Sequence, residues 1–425
     1  MFASKLIPYI HQLLLDLHTH PYPVNPSPSD VPRRASVALI IRIQPHYSHY
    51  PTYSELPEES QFLSTEDRLN AFFSQDWVEH GDPEILFIKR AANKNDKWTG
   101  HIAFPGGRRD PEDADDFAAA VREAWEEVGI DLREESGYAI PAGNLTQSVI
   151  TSSWGEVPLL TFCPYIFVLT KPIPSLRLQP TEVASAHWVP MRSLLNPKFR
   201  SYWLQDASSR TSKQDFGMKK LFHRFITGDM MFAAIRLYPS ESKFATETEE
   251  YSERLQPLEA LGSNLTIPLT SARRSLQSVD DTGATLLLWG LTLGVVGDFI
   301  DMIPPFDIMQ TWIYPSWTAL DMRFCLWILS YNYRKTKDIE LQQSMLAKKV
   351  PTPDADQMMV QLDGEERYFG RIRSEVRGRR GHLQIAWLPA YFKIIQRAAL
   401  VVAATRFLSA GVVAGSMAYY LQKRR

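Results

Sequence analysis

Cysteine is nearly absent. Cys163 and Cys325 are the only two in 425 residues, which excludes a disulfide framework and fits a reducing compartment. An excess of positive charge is lacking too: 46 Lys and Arg stand against 48 Asp and Glu, a formal net charge of -2. That balance excludes the counterion-driven affinity for nucleic acid that a broad basic surface gives, so any phosphate chemistry must come from a local site. Arginine is missing until Arg33, and no small-residue cleavage site follows the apolar start "MFASKLIPYIHQLLLDLHTH". That start reads as an amphipathic helix rather than a secretory signal, and the missing arginines weaken a mitochondrial-presequence reading.

What is present is ordinary in bulk: 44% apolar and 22% charged residues describe a globular chain. Its length exceeds what one core usually organises, so one large domain with insertions or two units is expected. After a Pro-rich linker (residues 21–32), "ASVALIIRI" predicts a buried strand, and "EILFIKRA" a second. "GHIAFPGG" predicts a third strand closing on a glycine turn. Asp115 or Asp116 caps a helix through "FAAAVREAWEEV" that stops at Gly129. "LLTFCPYIFVLT" and "ASAHWVP" supply further strands. Strands flanking a long helix indicate a mixed α/β core. Residues 45–80 and 201–281 read as polar insertions, "LLLWGLTLGVVG" as a core helix, and "WTALDMRFCLWILSYNYR" as an amphipathic segment before a charged stretch with five arginines at 371–380.

The chemistry concentrates in one helix. Glu123, Glu126 and Glu127 fall within one turn, where like charges repel unless a divalent cation sits among them. Hard oxygen ligands suit Mg²⁺ or Mn²⁺. Arg122 is placed to fix a carboxylate rotamer, and Gly106 and Gly107 allow backbone to approach the same ion. A solvated acidic helix face is the competing account of an isolated "EAWEE". Against it stand the glycine turn, the capping aspartates and the arginine at fixed offsets.

Together these residues resemble the Nudix box, G-x5-E-x7-R-E-U-x-E-E-x-G-U. Arg122, Glu123, Glu126, Glu127, Gly129 and Ile130 match its second half, and Ala124 stands at an aliphatic position. The first half departs: Asp113 replaces the Glu, and one extra residue separates it from Arg122. This variant, with "ILFIKRA…GHIAFPGG", "PTEVASAHWVP" and "LWGLT" as a closing helix, resembles the coenzyme A diphosphatase branch of the Nudix hydrolases. No residue of "NKNDKWT" clearly matches the branch's basic residue there.

The resemblance implies a Nudix-type α/β/α sandwich with a mixed sheet over residues 36–300. It leaves 1–35 as an N-terminal helix and linker, 301–390 as a helical and charged extension, and 391–425 as an apolar helix. It implies metal-dependent hydrolysis of a nucleoside diphosphate linked to another moiety, here coenzyme A to phosphopantetheine and adenosine 3',5'-bisphosphate. ADP-ribose or a dinucleotide is the alternative substrate, and a catalytically inactive, membrane-tethered nucleotide-binding protein the alternative class. The implied metal site is Glu123, Glu126, Glu127 and Gly107, and the catalytic residues are Arg122, Glu126 and Glu182. Glu156 is a second candidate base. Arg90, Arg108 and Arg109 are the candidate phosphate binders, with exposed loop charge as the alternative for Arg108 and Arg109. His101 and His187 belong to the residue type that can titrate near neutrality but read as packing residues.

The final apolar stretch, Ala398–Leu421, has 24 residues, enough to cross a bilayer. Arg406 interrupts it at a cost of about 2.5–3.5 kcal/mol. Tyr419, Tyr420 and the basic end look like an interfacial flank. The stretch is either a C-terminal tail anchor or an amphipathic or buried helix whose Arg406 faces solvent. Coenzyme A chemistry associates the protein with peroxisome or mitochondrion, and the cytosol is the alternative.

Overall fold

The computed structural model describes residues 6–27, 33–50, 64–92, 99–151, 158–171, 175–206, 229–240, 286–303, 315–346 and 383–424. In chain order the strands are β1 (Arg34–Gln44), β2 (Asp82–Arg90), β3 (Ile102–Ala103), β4 (Gly106–Arg108), β5 (Ala139–Asn144), β6 (Ser148–Thr151), β7 (Pro158–Leu169), β8 (Val183–Pro190), β9 (Arg200–Asp206), β10 (Asp229–Leu237), β11 (Leu286–Trp289) and β12 (Ser316–Trp317). The α-helices are α1 (Leu6–Thr19), α2 (Thr65–Phe73), α3 (Asp76–Glu79), α4 (Asp116–Val128), α5 (Met191–Leu195), α6 (Gly290–Ile300), α7 (Leu320–Leu346) and α8 (Leu383–Lys423). The chain divides into two compact units: Met1–Ile150, Leu159–Tyr202 and Ala234–Gln310; and Thr151–Pro158, Trp203–Ala233 and Thr311–Arg425. Glu156 and the arginines at 371–380 lie outside the described residues.

The first unit is built on a mixed sheet in the order β3-β2-β1-β7-β5, with β4 on β1, β6 on β7 and β8 on β2. β1 runs parallel to β7 and antiparallel to β2. It changes partner along its length: Ile41–Gln44 pair with β2, while Ala35–Val37 pair with β4. Val37 to Ile41 are all buried. A run of apolar residues without polar alternation is what a strand covered on both faces requires. On one face Ala38, Ile40, Leu86, Ile88 and Phe167 pack with Val121, Ala124 and Val128 of α4. The alternate residues, Leu39, Ile41, Phe87 and Val168, are fully buried as well, and α1 packs against β5 and β2. The α/β class with a mixed sheet is therefore as the sequence indicates, and so is the apolar C-terminal helix.

Several elements differ from expectation. "GHIAFPGG" is two short strands rather than one, because Pro105 has no N–H for the ladder and Gly106 sits at φ 153. A Cβ at Gly106 would come within 2.6 Å of the Val37 Cα, so β4 can lie on β1 only with glycine there. Within the stretch read as an insertion, residues 64–80 form helices: Ser64 caps α2 by accepting from the Asp67 N–H, and Leu69, Phe72 and Phe73 are buried. The polar region 201–281 holds most of β9 and all of β10. "LLLW" is a strand, not part of the closing helix; it pairs Leu286–Trp289 with Ala234–Leu237, and helix begins only at Gly290. Tertiary pairing decides these short apolar runs, whose periodicity is ambiguous in isolation.

In the second unit, Met230 and Met231 pair with Trp317 and Ser316. α7 and α8 pack through Met322, Leu326, Tyr391, Ile395, Ala398 and Val402. Arg406 of α8 forms a two-pronged ion pair with Asp321 of α7, both contacts at 2.6 Å.

Candidate functional site

The site forms where four elements end together, and α4 supplies its acids. The Asp115 side chain accepts from the Ala118 N–H, and Gly129 closes the helix at φ 74, a left-handed position that favours glycine. Two i,i+4 pairs then run along the helix. Glu123 and Glu127 share the stripe that faces β4, whereas Glu126 lies on the stripe of Arg122, which donates to it at 2.8 Å.

Glu127 is 1% exposed and accepts from the Gly106 N–H at 2.8 Å. A Cβ on Gly107 would lie 2.6 Å from the Glu123 Cδ, so the second glycine leaves room for that carboxylate. Glu182 comes from the loop before β8. Its N–H donates to the Gln179 carbonyl, and its carbonyl accepts from Ala91 at the end of β2. The Gln179 N–H donates to the Glu127 carbonyl at 3.0 Å, tying this loop to α4. As a result one carboxylate oxygen each from Glu123, Glu127 and Glu182 lie within 4.8 Å of one another.

Arg122 organises the rim. Its Nε and Nη2 donate to the two Asp113 oxygens at 2.9 and 3.0 Å, and Nη2 also donates to the Arg108 carbonyl. Its Nη1 stands 3.2 Å from Glu123. The shorter Asp113 thus takes both forks of the guanidinium, which holds the carboxyl of Asp113 below the usual carboxylate range. Arg90 lies close enough to Glu127 to lower its proton affinity. Arg108 exposes its side chain. Arg109 is engaged in the loop, donating to the Asp113 and Ala114 carbonyls and standing 3.5 Å from Asp116.

The structure therefore brings together Glu123, Glu127, Glu182, Gly107 and Arg90, and turns Glu126 and Arg109 to other partners. His187 contacts Ser185, and His101 packs edge-on against Trp289. Sequence reasoning missed Arg34, which grips Asp116 at the start of α4 through three contacts of 2.7 to 2.9 Å. Nothing local signals that pair, because its members are 82 residues apart.

Burial pushes Glu127 up to about 8 and Glu123 up to about 7, with the nearby carboxylates acting in the same direction. Three converging acids, two of them costly to ionise alone, fit a hard divalent cation. A carboxyl raised above its ordinary 4.5 favours the fold while protonated. That contribution to the metal-free protein is complete below about pH 4.5 and is lost as pH rises through about 7 to 8. Cation binding requires the ionised acids and has the opposite sign. Thermal stabilisation by Mg²⁺ or Mn²⁺ is therefore expected to grow between about pH 6 and about pH 8.5. A melting-point shift that stays flat across that range would count against the cluster as the cation site.

Comparison with known proteins places this arrangement. The chain is 39% identical over 213 residues to an uncharacterized protein of Schizosaccharomyces pombe, covering 50% of this chain and 57% of that one. It is 31% identical over 118 residues to the mouse peroxisomal coenzyme A diphosphatase NUDT7, covering 27% and 43%. It is 33% identical over 60 residues to the mouse mitochondrial coenzyme A diphosphatase NUDT8, covering 14% and 29%. Each match spans less than two thirds of the relative's own length. The NUDIX domain model matches residues 77–207, a range that contains the glycine turn, α4 and Glu182. The chain thus carries a NUDIX domain.

Proposed function

We propose that the protein is a metal-dependent hydrolase of a phosphoanhydride, splitting coenzyme A or a derivative into phosphopantetheine and adenosine 3',5'-bisphosphate. The observation that carries this reading is the convergence of Glu123, Glu127 and Glu182 against the Gly106–Gly107 turn. The printed activities of the two mouse relatives support the substrate.

Glu123, Glu127 and Glu182 would hold Mg²⁺ or Mn²⁺. When bound, such a cation neutralises phosphate charge and lowers the pKa of water. The chain's own residues do the rest. The Gly106 amide fixes the Glu127 carboxylate, and Arg122 fixes Glu126 and the Asp113 loop. Arg90 and the exposed Arg108 orient the phosphates. Water oxygen bonds to one phosphorus as the bridging P–O bond breaks, and the proton of that water passes to Glu182, the exposed member of the trio.

Incubating the purified protein with Mg²⁺ and, separately, coenzyme A, ADP-ribose and a diadenosine polyphosphate tests the reading. Phosphopantetheine and adenosine 3',5'-bisphosphate are the expected products, formed only without chelator. Cleavage confined to ADP-ribose or the dinucleotide would reassign the substrate. Binding without products from any of them would leave a nucleotide-binding protein.

The same reading puts the enzyme on a membrane, of the peroxisome or mitochondrion by analogy with the relatives' printed names. Residues Tyr391–Lys423 form a helix long and apolar enough to cross a bilayer, with mean hydropathy 1.7 over its apolar 18-residue stretch. Leu408, Val412, Val413 and Met417 are exposed along it, and the Asp321 contact offsets the charge of Arg406. Truncation after Lys393 is expected to move the protein from the membrane pellet to the supernatant. Full-length protein found in the supernatant would overturn the anchor.

A further inference from the structure

A second cluster of ligating side chains stands at the other end of β2. His49 ends a short 3-10 turn (Tyr47–His49) that follows β1, Asp76 opens α3, and His80 follows its last residue. The last rungs of the β1–β2 ladder, Ile43 with Pro83 and Gln44 with Asp82, bring these segments together. Asp76 meets both rings: its Oδ2 is 2.6 Å from His49 Nδ1, while His80 Nδ1 is 2.9 Å from the Asp76 main-chain carbonyl and 3.4 Å from Oδ1. The two imidazoles lie parallel, 4.0 Å between centroids and 3° between planes. One donor atom from each of the three residues lies within 4.8 Å of the others. All three remain open to water, with side-chain exposures of 32%, 70% and 44%.

Donor chemistry separates this cluster from the catalytic one. Oxygen-only carboxylates suit Mg²⁺ or Mn²⁺, whereas two imidazoles with one carboxylate suit Zn²⁺. The segments that carry the rings are held together by strand pairing, so binding calls for side-chain rotation and little backbone ordering. An imidazole lone pair lies in its ring plane, so for both rings to bind one ion His80 must turn out of the stack and release the Asp76 carbonyl. The nine residues of β2 separate the clusters by roughly 25 Å at about 3.3 Å per residue. An ion here therefore cannot reach the phosphates handled at Glu127.

We propose that His49, Asp76 and His80 form a zinc site, with water in the fourth position, that clamps the end of β1 to the start of β2. The site is independent of the proposed hydrolase activity.

Titrating metal-free full-length protein with Co²⁺, a spectroscopic stand-in for Zn²⁺, tests it. The wild type is expected to take up Co²⁺ with visible d–d bands that Zn²⁺ displaces. His49→Ala, His80→Ala and Asp76→Asn are each expected to weaken that binding by at least about 10-fold. Glu127→Gln is expected to keep it. Melting in chelator should match the wild type, since the replaced side chains are exposed. Should a variant fail to fold, ring-proton NMR of the wild type decides: Zn²⁺ moves the His49 and His80 signals and leaves those of His101 and His187. Absence of Co²⁺ bands in the wild type, or equal bands in the His49→Ala/His80→Ala double variant, overturns the proposal. Phosphoanhydride hydrolysis with Mg²⁺ is expected to be unchanged in that double variant, so the zinc site and the hydrolase reading can fail separately.

Discussion

Replacing Glu127 by Gln is expected to reduce phosphoanhydride turnover by about 10²–10³-fold, the usual loss when a preorganised charge at a reacting centre is removed. The amide oxygen of Gln can still accept the Gly106 N–H that Glu127 accepts at 2.8 Å, so the glycine turn keeps its anchor while the site loses a negative charge. Stability should move the other way. Burial already makes ionised Glu127 unfavourable, with its carboxyl pushed up to about 8, and Gln resembles the protonated form. The metal-free variant is expected to melt at or above the wild-type temperature near pH 8, with the protection given by Mg²⁺ largely gone. Turnover equal to wild type, measured by product formation at saturating Mg²⁺, would remove Glu127 from the proposed metal site. Glu126→Gln gives a useful contrast, because that carboxylate is 54% exposed and turned to Arg122. A smaller loss is expected there.

The second large effect is on folding. Asp116→Ala is expected to cost about 3–5 kcal/mol, since removing one partner of a buried pair leaves the other charge uncompensated. The side chains of Arg34 and Asp116 are only 12% and 5% exposed. Arg34 also donates to the Asn25 carbonyl, Ser27 Oγ and Gln147 Oε1, so one guanidinium ties the chain before β1 and the strand β6 region to the first residue of α4. Burial alone would raise the Asp116 carboxyl, but the Arg34 hydrogen bonds and charge outweigh it and the net shift is downward. The pair's contribution is therefore present above the ordinary aspartate value and fades as pH falls through the lower folded one. Urea unfolding of the wild type, Asp116→Ala and Arg34→Met/Asp116→Leu checks this. The double variant should recover much of the loss, as apolar replacement of both partners often does. A single variant as stable as wild type would show that the pair contributes little.

The candidate site was partly legible because some of its chemistry is local. Glycines at 106 and 107, the Asp115 cap, Arg122, the two glutamates four apart and Gly129 fall within 24 residues. Spacing alone puts Glu123 and Glu127 on one stripe of α4. Spacing put Arg122 in reach of Glu126 but did not show that Glu126 leaves the trio for it, since three acids in one turn appear equivalent until a neighbouring strand selects a face. Glu182 could be nominated only by resemblance, and its place beside Glu123 and Glu127 depends on the Gln179 and Ala91 contacts. Arg109 had the right chemistry for phosphate, but the loop carbonyls occupy it.

By itself, the sequence determined the α/β class, the buried β1, the capped helix α4 and the apolar C-terminal helix. Each follows from residue periodicity or from a cap whose hydrogen bonds span a few residues. The tertiary structure alone decided which acids converge, which arginines are engaged in packing, and that His49 and His80 meet over Asp76. Those outcomes rest on strand pairing between distant segments, and contacts of that kind leave no periodic trace in the chain.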